Sequence, residues 1–242
     1  MKAMIFAAGL GTRLKPLTDS IPKALVPIAG KPLLEHVILK LKAAGFDEII
    51  VNVHHFPDQI IDFLKVNNNF GIRIEVSDER DQLLDTGGGI RKAKHFFDNG
   101  QPFLVHNVDI LSDIDLKELF QQHLAADSLA TLVVSKRDTF RYLLFDDDHR
   151  LCGWINETTG ETKPIKFDDI SCFNKLAFAG IQVLSPRVFE LMETLDAKFP
   201  IMDFYFSNAQ TQVIKGFIPT DFHMLDVGKL NVLDEAERFV NR

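Results

Sequence analysis

The sequence has 242 residues, of which 46% are hydrophobic, and a formal net charge of −7 at neutral pH. A chain of this length buries roughly 70–75% of the surface that its unfolded form exposes, so one domain with a substantial core is expected. No window reaches the ~18 uninterrupted apolar residues of a membrane span, and the acidic balance argues against a nucleic-acid partner. Cys152 and Cys172 form neither a pair of short-spaced metal ligands nor a disulfide framework, which fits a reducing compartment. Together with the lack of a membrane span, this leads us to expect a cytoplasmic protein without a membrane partner.

The first half of the chain alternates predicted strands and helices. Strands are expected over residues 2–7, 48–53, 72–76 and 102–108. Helices are expected from Pro32 to a C-terminal cap at Gly45, and over residues 57–66 and 88–97. This alternation is typical of an α/β fold with a largely parallel sheet.

The second half follows a less regular pattern. We expect helices over residues 116–125, after Pro186, around 203–211 and from Leu230, with strands over 129–134, 177–184 and 213–218. Residues 142–155 predict a hairpin that turns at 146–149, and residues 163–174 are poorly patterned. The predicted fold is a single Rossmann-like three-layer α/β/α domain over residues 1–242, with a mixed central sheet and a small arm near residues 140–175.

The connection between the first strand and the first helix spans residues 8–31, whereas such connections usually have about two to six residues. Three prolines restrict its backbone, and hydrophobic side chains can anchor it, so an ordered loop is predicted. Residues 1–31 contain five basic side chains and one acidic one, which suggests a small polyanionic ligand. The basic residues are Lys2, Arg13, Lys15, Lys23 and Lys31.

Glycines in this loop allow backbone N–H groups to approach one phosphate, but the loop fits neither of two common phosphate motifs. The stretch from Gly9 has Leu14 where the dinucleotide fingerprint requires its third glycine. Gly30-Lys31 resembles the end of a P-loop, yet Pro32 stands in place of Ser or Thr. A nicotinamide dehydrogenase and a P-loop ATPase are therefore both disfavoured.

The stretch AAGLGTRLKPLTDSIPKALVPIAGKP, residues 7–32, closely resembles the signature of nucleoside-diphosphate-sugar pyrophosphorylases, which are sugar-1-phosphate nucleotidyltransferases. Weaker resemblance continues through LLDTGGGI, FAGI and Asp226-Val227-Gly228. The resemblance implies a nucleotidyltransferase domain that uses Mg²⁺. It also implies roles for individual residues: nucleotide binding by Ala7, Ala8, Gly9, Gly11 and Thr12, phosphate binding in catalysis by Arg13 and Lys23, and metal binding by Asp109 and Asp226.

The chemistry of the implied reaction supports these assignments. An oxygen of a sugar 1-phosphate attacks the α-phosphorus of a nucleoside triphosphate, and pyrophosphate leaves, so two anions must be aligned and neutralised. Magnesium needs one or two carboxylates besides phosphate oxygens. Asp109 follows an apolar run that predicts a central strand, and ligands of open α/β sheets bind at the carboxyl ends of strands.

Four further residues are assigned by resemblance. Gly87 and Gly88 lie at the start of the helix predicted over residues 88–97 and are expected to contact the base and ribose of the nucleotide. Gly180 and Lys163 are candidates for binding the sugar phosphate. For Lys163 the chain departs from the Glu-Lys-Pro element of many relatives, because Thr162 is inserted after Glu161.

The combination of DTGGGI and FAGI is most similar to N-acetylmuramate 1-phosphate uridylyltransferases and to mannose- or heptose-1-phosphate guanylyltransferases. The expected substrates are a nucleoside triphosphate and a sugar 1-phosphate, with UTP and N-acetylmuramate 1-phosphate favoured. A phosphocholine cytidylyltransferase and a nucleotide-sugar-binding regulatory paralogue without turnover are the alternatives. Neither the base, the sugar nor the oligomeric state follows from the sequence.

Overall fold

A computed structural model describes residues 1–167 and 169–241. Up to residue 135 the elements are β1 (Lys2–Phe6), β2 (Pro27–Ile28), β3 (Lys31–Pro32), α1 (Leu33–Ala43), β4 (Glu48–Val53), α2 (Pro57–Val66), β5 (Arg73–Asp78), α3 (Asp85–Lys92), β6 (Phe103–Asn107), β7 (Ile110–Ser112), α4 (Leu116–Ala126) and β8 (Ala130–Ser135). The remainder comprises β9 (Arg141–Phe145), β10 (Leu151–Asn156), β11 (Glu161–Lys163), β12 (Asn174–Leu184), α5 (Val188–Met192), α6 (Ile201–Asn208), β13 (Ile214–Phe217), β14 (Met224–Asp226) and α7 (Leu233–Val240).

Ten strands within the described residues form one mixed sheet, which confirms that prediction. The order is β11-β10-β9-β12-β6-β1-β4-β5, and β8 pairs with both β12 and β13. Strands β6, β1, β4 and β5 are parallel, whereas β12 is antiparallel to β6, β8 and β9. Because the parallel strands share a register, their carboxyl ends meet at one edge.

Helices cover both faces of the sheet. Successive residues of a strand point to opposite faces, and in these strands the side chains on both faces are mostly apolar and pack against helices. In β1, Ala3 and Ile5 pack in one buried cluster with α1, α2 and α4, whereas Met4 packs in another with α3, α5 and α6. The result is the predicted three-layer α/β/α arrangement. No helix among the described residues is both long and apolar enough to cross a bilayer.

Helix boundaries follow the capping residues of the sequence. Gly45, with φ of +88°, ends α1, and the N–H of Phe46 donates to the carbonyl of Leu41 over 3.0 Å. Asp115 caps α4, because its Oδ1 accepts hydrogen bonds from the N–H groups of Lys117 and Glu118. The cap at Gly45 was predicted from the sequence.

Several predicted boundaries need correction. The helix expected over residues 88–97 begins at Asp85 and continues as a 3₁₀ helix over Ala93–Phe97. The short strands β7 and β14 were not predicted at all. The expected arm consists of β9, β10 and β11, which extend the large sheet beyond β12, while Asp168 of the arm lies outside the described residues.

A buried histidine makes the stability of the fold pH-dependent. His123 is 2% exposed and bonds through Nδ1 to Thr131 Oγ1 over 2.9 Å, and its burial lowers the pKa to about 4. In the unfolded chain this histidine has a pKa near 6.5, so between about pH 6.5 and pH 4 it is protonated in the unfolded chain but neutral in the folded one. The unfolding free energy therefore falls as the pH is lowered through this range. Between pH 7 and pH 5 we expect the wild type to lose about 2 kcal/mol more unfolding free energy than His123→Gln, measured by urea denaturation. Equal losses would contradict the assignment.

Candidate active site at the carboxyl edge of the sheet

The long loop after β1 is compact and ordered, as predicted. Three 3₁₀ turns, Thr12–Leu14, Leu17–Asp19 and Lys23–Leu25, fold it back on itself. Gly11 has φ of +65°, and a Cβ there would lie 2.8 Å from Thr18 Cγ2 and 3.1 Å from Lys23 Cβ. Thr18 Oγ1 also donates to the carbonyl of Gly11 over 2.8 Å. Glycine at this position therefore lets Lys23 pack close against the loop.

A cavity of about 320 Å³ opens where β1, β4, β5 and β6 end. It gathers five of the predicted site residues, namely Ala7, Ala8, Gly9, Lys23 and Asp109. Other residues that line it are Asn52, Glu79, Asp85, Thr86, Asn107 and Lys198. We call this space the main cavity.

The two charged groups predicted to act on phosphates and metal meet inside it. Lys23 Nζ donates a hydrogen bond to Asp109 Oδ2, and the two side chains are only 11% and 18% exposed. Each group neutralises the charge of the other. An anionic ligand can replace Asp109 as the partner of Lys23, and a cation can replace Lys23 as the partner of Asp109.

The second predicted carboxylate reaches the same edge through the unpredicted pair of short strands. Strand β14 runs antiparallel to β7, which places Asp226 opposite Ile110, and the N–H of Val227 donates to the carbonyl of Asp109 over 2.8 Å. Asp226 Oδ1 is buried and has no hydrogen-bond partner within the described residues. An unpartnered buried carboxylate oxygen is costly unless a ligand satisfies it.

Arg13 lies beside this carboxylate. A Cβ on Gly228 would be 2.7 Å from both Arg13 Nη2 and Asp226 Oδ1. Glycine at this position therefore leaves room for the Arg13 and Asp226 side chains to lie close to the same point. No carboxylate in the described part of the chain lies within ion-pair distance of the Arg13 guanidinium. Arg13 is thus a free cation at the edge where the two aspartates converge.

The donor set fits a hard divalent cation. No group of three or more His, Cys, Asp or Glu side chains that could hold a metal occurs among the described residues. Magnesium, however, needs only one or two carboxylates when phosphate oxygens and waters complete its octahedron. Asp109 and Asp226, with its orphaned oxygen, meet that need, and magnesium binding stays a prediction.

Sequence reasoning missed two buried polar residues that shape the main cavity. Asn52 Oδ1 accepts hydrogen bonds from the N–H groups of Ala7 and Ala8 over 2.8 and 3.3 Å, and its amide donates to Glu79 Oε1 over 2.8 Å. Glu79 is 1% exposed and accepts a further bond from the N–H of Leu84. The first two N–H groups of the loop are therefore held by Asn52. A polar residue at the carboxyl end of a buried parallel strand was the available signal.

The glycine run of α3 packs against protein. The N–H groups of Gly87 and Gly88 donate to the carbonyl of Phe199 over 2.9 and 3.3 Å. A Cβ on Gly88 would lie 2.3 Å from the carbonyl oxygen of Ala197. Neither glycine lines the main cavity, whereas the preceding Thr86 does. Nucleotide contact by these glycines stays a prediction, as it does for Gly11 and Thr12, which also lie off the lining.

Lys163 lies in a second cavity of about 510 Å³ under the arm. Its Nζ pairs with Asp203 Oδ1 over 2.8 Å and stands 5.8 Å from the centroid of the Trp154 ring. Other residues that line this second cavity are Arg137, Thr139, Arg141, Leu143, Glu161, Phe178, Pro200, Met202 and Phe206. Lys198 of the main cavity and Pro200 of the second are two positions apart, so one segment contributes to the lining of both cavities.

Gly180, the other candidate for sugar-phosphate binding, supports the end of β6. It has φ of +75° in a bulge of β12, and a Cβ there would lie 2.9 Å from both Asn107 Nδ2 and Ile110 Cγ1. Glycine is required for this close approach. His106 lies fully buried next to Asn107, and burial lowers the pKa of this imidazole to about 4, so the group beneath the Asp109 turn is neutral at pH 7.

Residues 2–241 match the family described as nucleotidyl transferase. The chain is 37% identical over 194 residues to an N-acetylmuramate alpha-1-phosphate uridylyltransferase of Neisseria meningitidis, covering 80% of this chain and 79% of that protein. It is 35% identical over 199 residues to a probable mannose-1-phosphate guanylyltransferase of Arabidopsis thaliana, covering 80% of this chain and 52% of the longer plant protein. The crystal structure of HddC from Yersinia pseudotuberculosis complexed with GMP-PN superimposes with a TM-score of 0.78 at 25% identity, covering 98% of each chain.

Proposed function

Because the chain belongs to the nucleotidyl transferase family and is a sugar-1-phosphate nucleotidyltransferase, we propose that it couples UTP to N-acetylmuramate 1-phosphate or a related sugar 1-phosphate. The sugar phosphate oxygen forms a bond to the α-phosphorus, the bond from that phosphorus to the β-phosphate oxygen breaks, and pyrophosphate leaves. The products are a nucleoside-diphosphate sugar and pyrophosphate. The observation that carries this proposal is the Lys23–Asp109 pair in the main cavity, with Asp226 and Arg13 placed next to the Asp109 turn by strand β14 and Gly228, although neither lines the cavity.

Asp109 and Asp226 would hold Mg²⁺, which when bound supplies positive charge at the phosphate oxygens. Lys23 would then exchange its carboxylate partner for a phosphate oxygen, and Arg13 would add a second cation on the Asp226 side. Both cations suppress the repulsion between two anionic reactants and fix their alignment. No covalent nucleophile is needed from the protein.

The charge of the second cavity supports a sugar that carries an anionic substituent. Lys163 is already paired with Asp203, and Arg137 donates to the carbonyl of Phe178 over 3.1 Å. The guanidinium of Arg141 has no carboxylate partner in the described parts of the chain. N-acetylmuramate bears a carboxylate, which a guanidinium binds through two parallel hydrogen bonds. Trp154 and Phe178 offer apolar faces for the sugar ring.

A mannose- or heptose-1-phosphate guanylyltransferase is the second candidate. The observations in its favour are the similarity to the plant protein and the likeness to a structure solved with GMP-PN. Asn52, Glu79, Asp85 and Thr86 line the main cavity, and their polar groups could form hydrogen bonds with the base of the nucleotide. The choice of base therefore depends on these few contacts.

The test is pyrophosphate release with Mg²⁺ across UTP, GTP, CTP and dTTP, each combined with N-acetylmuramate, N-acetylglucosamine, glucose and mannose 1-phosphates and with phosphocholine. The proposal predicts the highest kcat/KM for UTP with N-acetylmuramate 1-phosphate. It also predicts that N-acetylglucosamine 1-phosphate, the same sugar without the lactyl ether that carries the carboxylate, is at least about tenfold poorer. Preference for GTP with mannose 1-phosphate would establish the second candidate instead.

A further inference from the structure

The segment 195–200, which we call the strap, is held against α3 by one arginine. Arg91 Nη1 donates to the carbonyls of Met192 and Leu195 over 2.9 and 2.6 Å, and Nη2 donates to the carbonyl of Asp196 over 2.7 Å. Its guanidinium also stands 5.4 Å from the centroid of the Phe199 ring. One side chain thus binds both ends of a segment that makes no secondary structure of its own.

The glycine face of α3 is shaped to receive this strap. The N–H groups of Gly87 and Gly88 donate to the carbonyl of Phe199, and Thr86 Oγ1 accepts a hydrogen bond from the N–H of Ile201 over 2.9 Å. A Cβ on Gly87 would come within 2.2 Å of the Phe199 ring. A side chain at either glycine would therefore push the strap away from α3.

The strap carries one cation into the main cavity. Lys198 lines that cavity together with Lys23 and Asp109, and it is exposed. No hydrogen bond or ion pair ties its ammonium to any other described residue. Most other lysines in the described part of the chain, by contrast, are paired with a carboxylate or a carbonyl. An unpaired ammonium beside the Lys23–Asp109 pair is available to a phosphoryl group.

We propose that Lys198 binds a phosphoryl group of the nucleotide in the main cavity and that Arg91 is the positioning residue that holds Lys198 there through the strap. This inference rests on the proposed function only in that it takes a nucleotide as the ligand of the main cavity. Arg91 acts through the strap, because its donors are taken up by the carbonyls of Met192, Leu195 and Asp196. Losing Arg91 multiplies the conformations of an exposed segment and lowers the fraction of molecules with Lys198 in place.

A double-mutant cycle tests the coupling. Arg91→Ala, Lys198→Ala and the double variant are compared with the wild type by calorimetric titration of UTP with Mg²⁺, and by kcat/KM in pyrophosphate release. We expect Lys198→Ala to weaken UTP binding about 10- to 30-fold, as for one charge-assisted hydrogen bond, and Arg91→Ala to weaken it about 5- to 10-fold. Because Arg91 acts through Lys198, the double variant should match Lys198→Ala within about twofold.

Controls separate this role from a loss of folding. Arg187→Ala removes an arginine that likewise donates to a loop carbonyl, that of Asp127, but lies away from both cavities, and it should leave both readouts unchanged. Arg91→Lys should recover part of the binding lost in Arg91→Ala. Gly88→Ala displaces the strap by a second route and should mimic Arg91→Ala.

Wild-type UTP affinity in Lys198→Ala, a variant of an exposed residue, would overturn the inference. Multiplicative losses in the double variant would overturn the positioning role of Arg91. The titration needs no turnover and is repeated with GTP, so it decides the inference even if pyrophosphate release selects another substrate pair. Absence of turnover with every pair would instead count against the proposed function.

Discussion

Asp109→Asn is expected to lower kcat for pyrophosphate release by about 10³-fold or more, with the fold retained. Asparagine keeps the size of the side chain and a carbonyl acceptor for Lys23, but it removes the negative charge that a divalent cation requires. Of the two predicted metal ligands, Asp226 alone then keeps its negative charge. The loss should appear mainly in kcat, since charge neutralisation acts on the transition state more than on binding.

The matched control is Asp113→Asn, because Asp113 lies just past the end of β7 and its side chain bonds to His223, outside the main cavity. This variant should retain kcat within about twofold, although a neutral amide binds His223 more weakly than the carboxylate does. Circular dichroism and a melting curve establish that Asp109→Asn is folded. If folded Asp109→Asn turned over at a rate near that of the wild type, the carboxylate would have no part in the reaction.

Lys23→Ala is expected to lower kcat/KM by about 10²- to 10³-fold and, unlike the first variant, to destabilise the protein. The ammonium of Lys23 is the cation nearest to Asp109, and its removal leaves that largely buried carboxylate without a partner. An unpaired, mostly buried charge costs on the order of 1–3 kcal/mol of unfolding free energy here, less than in a fully buried pair. Urea denaturation measures that cost, and steady-state kinetics measures the catalytic loss.

Lys15→Ala serves as the control in the same loop. Lys15 is exposed and pairs with Asp19 four residues on, so its removal should change neither kcat/KM nor stability by more than a small factor. The double variant Lys23→Ala/Asp109→Ala should regain part of the stability lost in Lys23→Ala, because the unpaired charge is gone. A Lys23→Ala variant that kept full activity would reduce this lysine to a structural role.

The elements of the fold that depend on local signals could be predicted from the sequence. Strand β4 and helix α2 were predicted with their observed bounds, since an apolar run and a proline at the first helical position mark them. Asp109 and Asp226 were assigned by the family resemblance, with the apolar run before Asp109 as support, and the structure places the two residues on paired strands or directly next to them. The strands that do so, β7 and β14, have three residues each, too few for a periodic pattern to reveal.

Contacts between distant segments could not be predicted in the same way. The glycine run of α3 looked like a surface for a ligand, but its N–H groups meet the carbonyl of Phe199, more than a hundred positions away. Asn52 in β4 donates a hydrogen bond to Glu79, which follows β5, and the local sequence around neither residue predicts this bond. Such pairings depend on strand order and on loop paths, which only the folded chain fixes.

The measurement that tests the central claim most directly is a crystal structure with UTP and Mn²⁺ in place of Mg²⁺, because manganese is located by its anomalous scattering. The account predicts a metal ion held between Asp109 and Asp226, the triphosphate in the main cavity, and Lys23 moved from Asp109 to a phosphate oxygen. A nucleotide bound elsewhere, or a metal away from both aspartates with the Lys23–Asp109 pair intact, would contradict it.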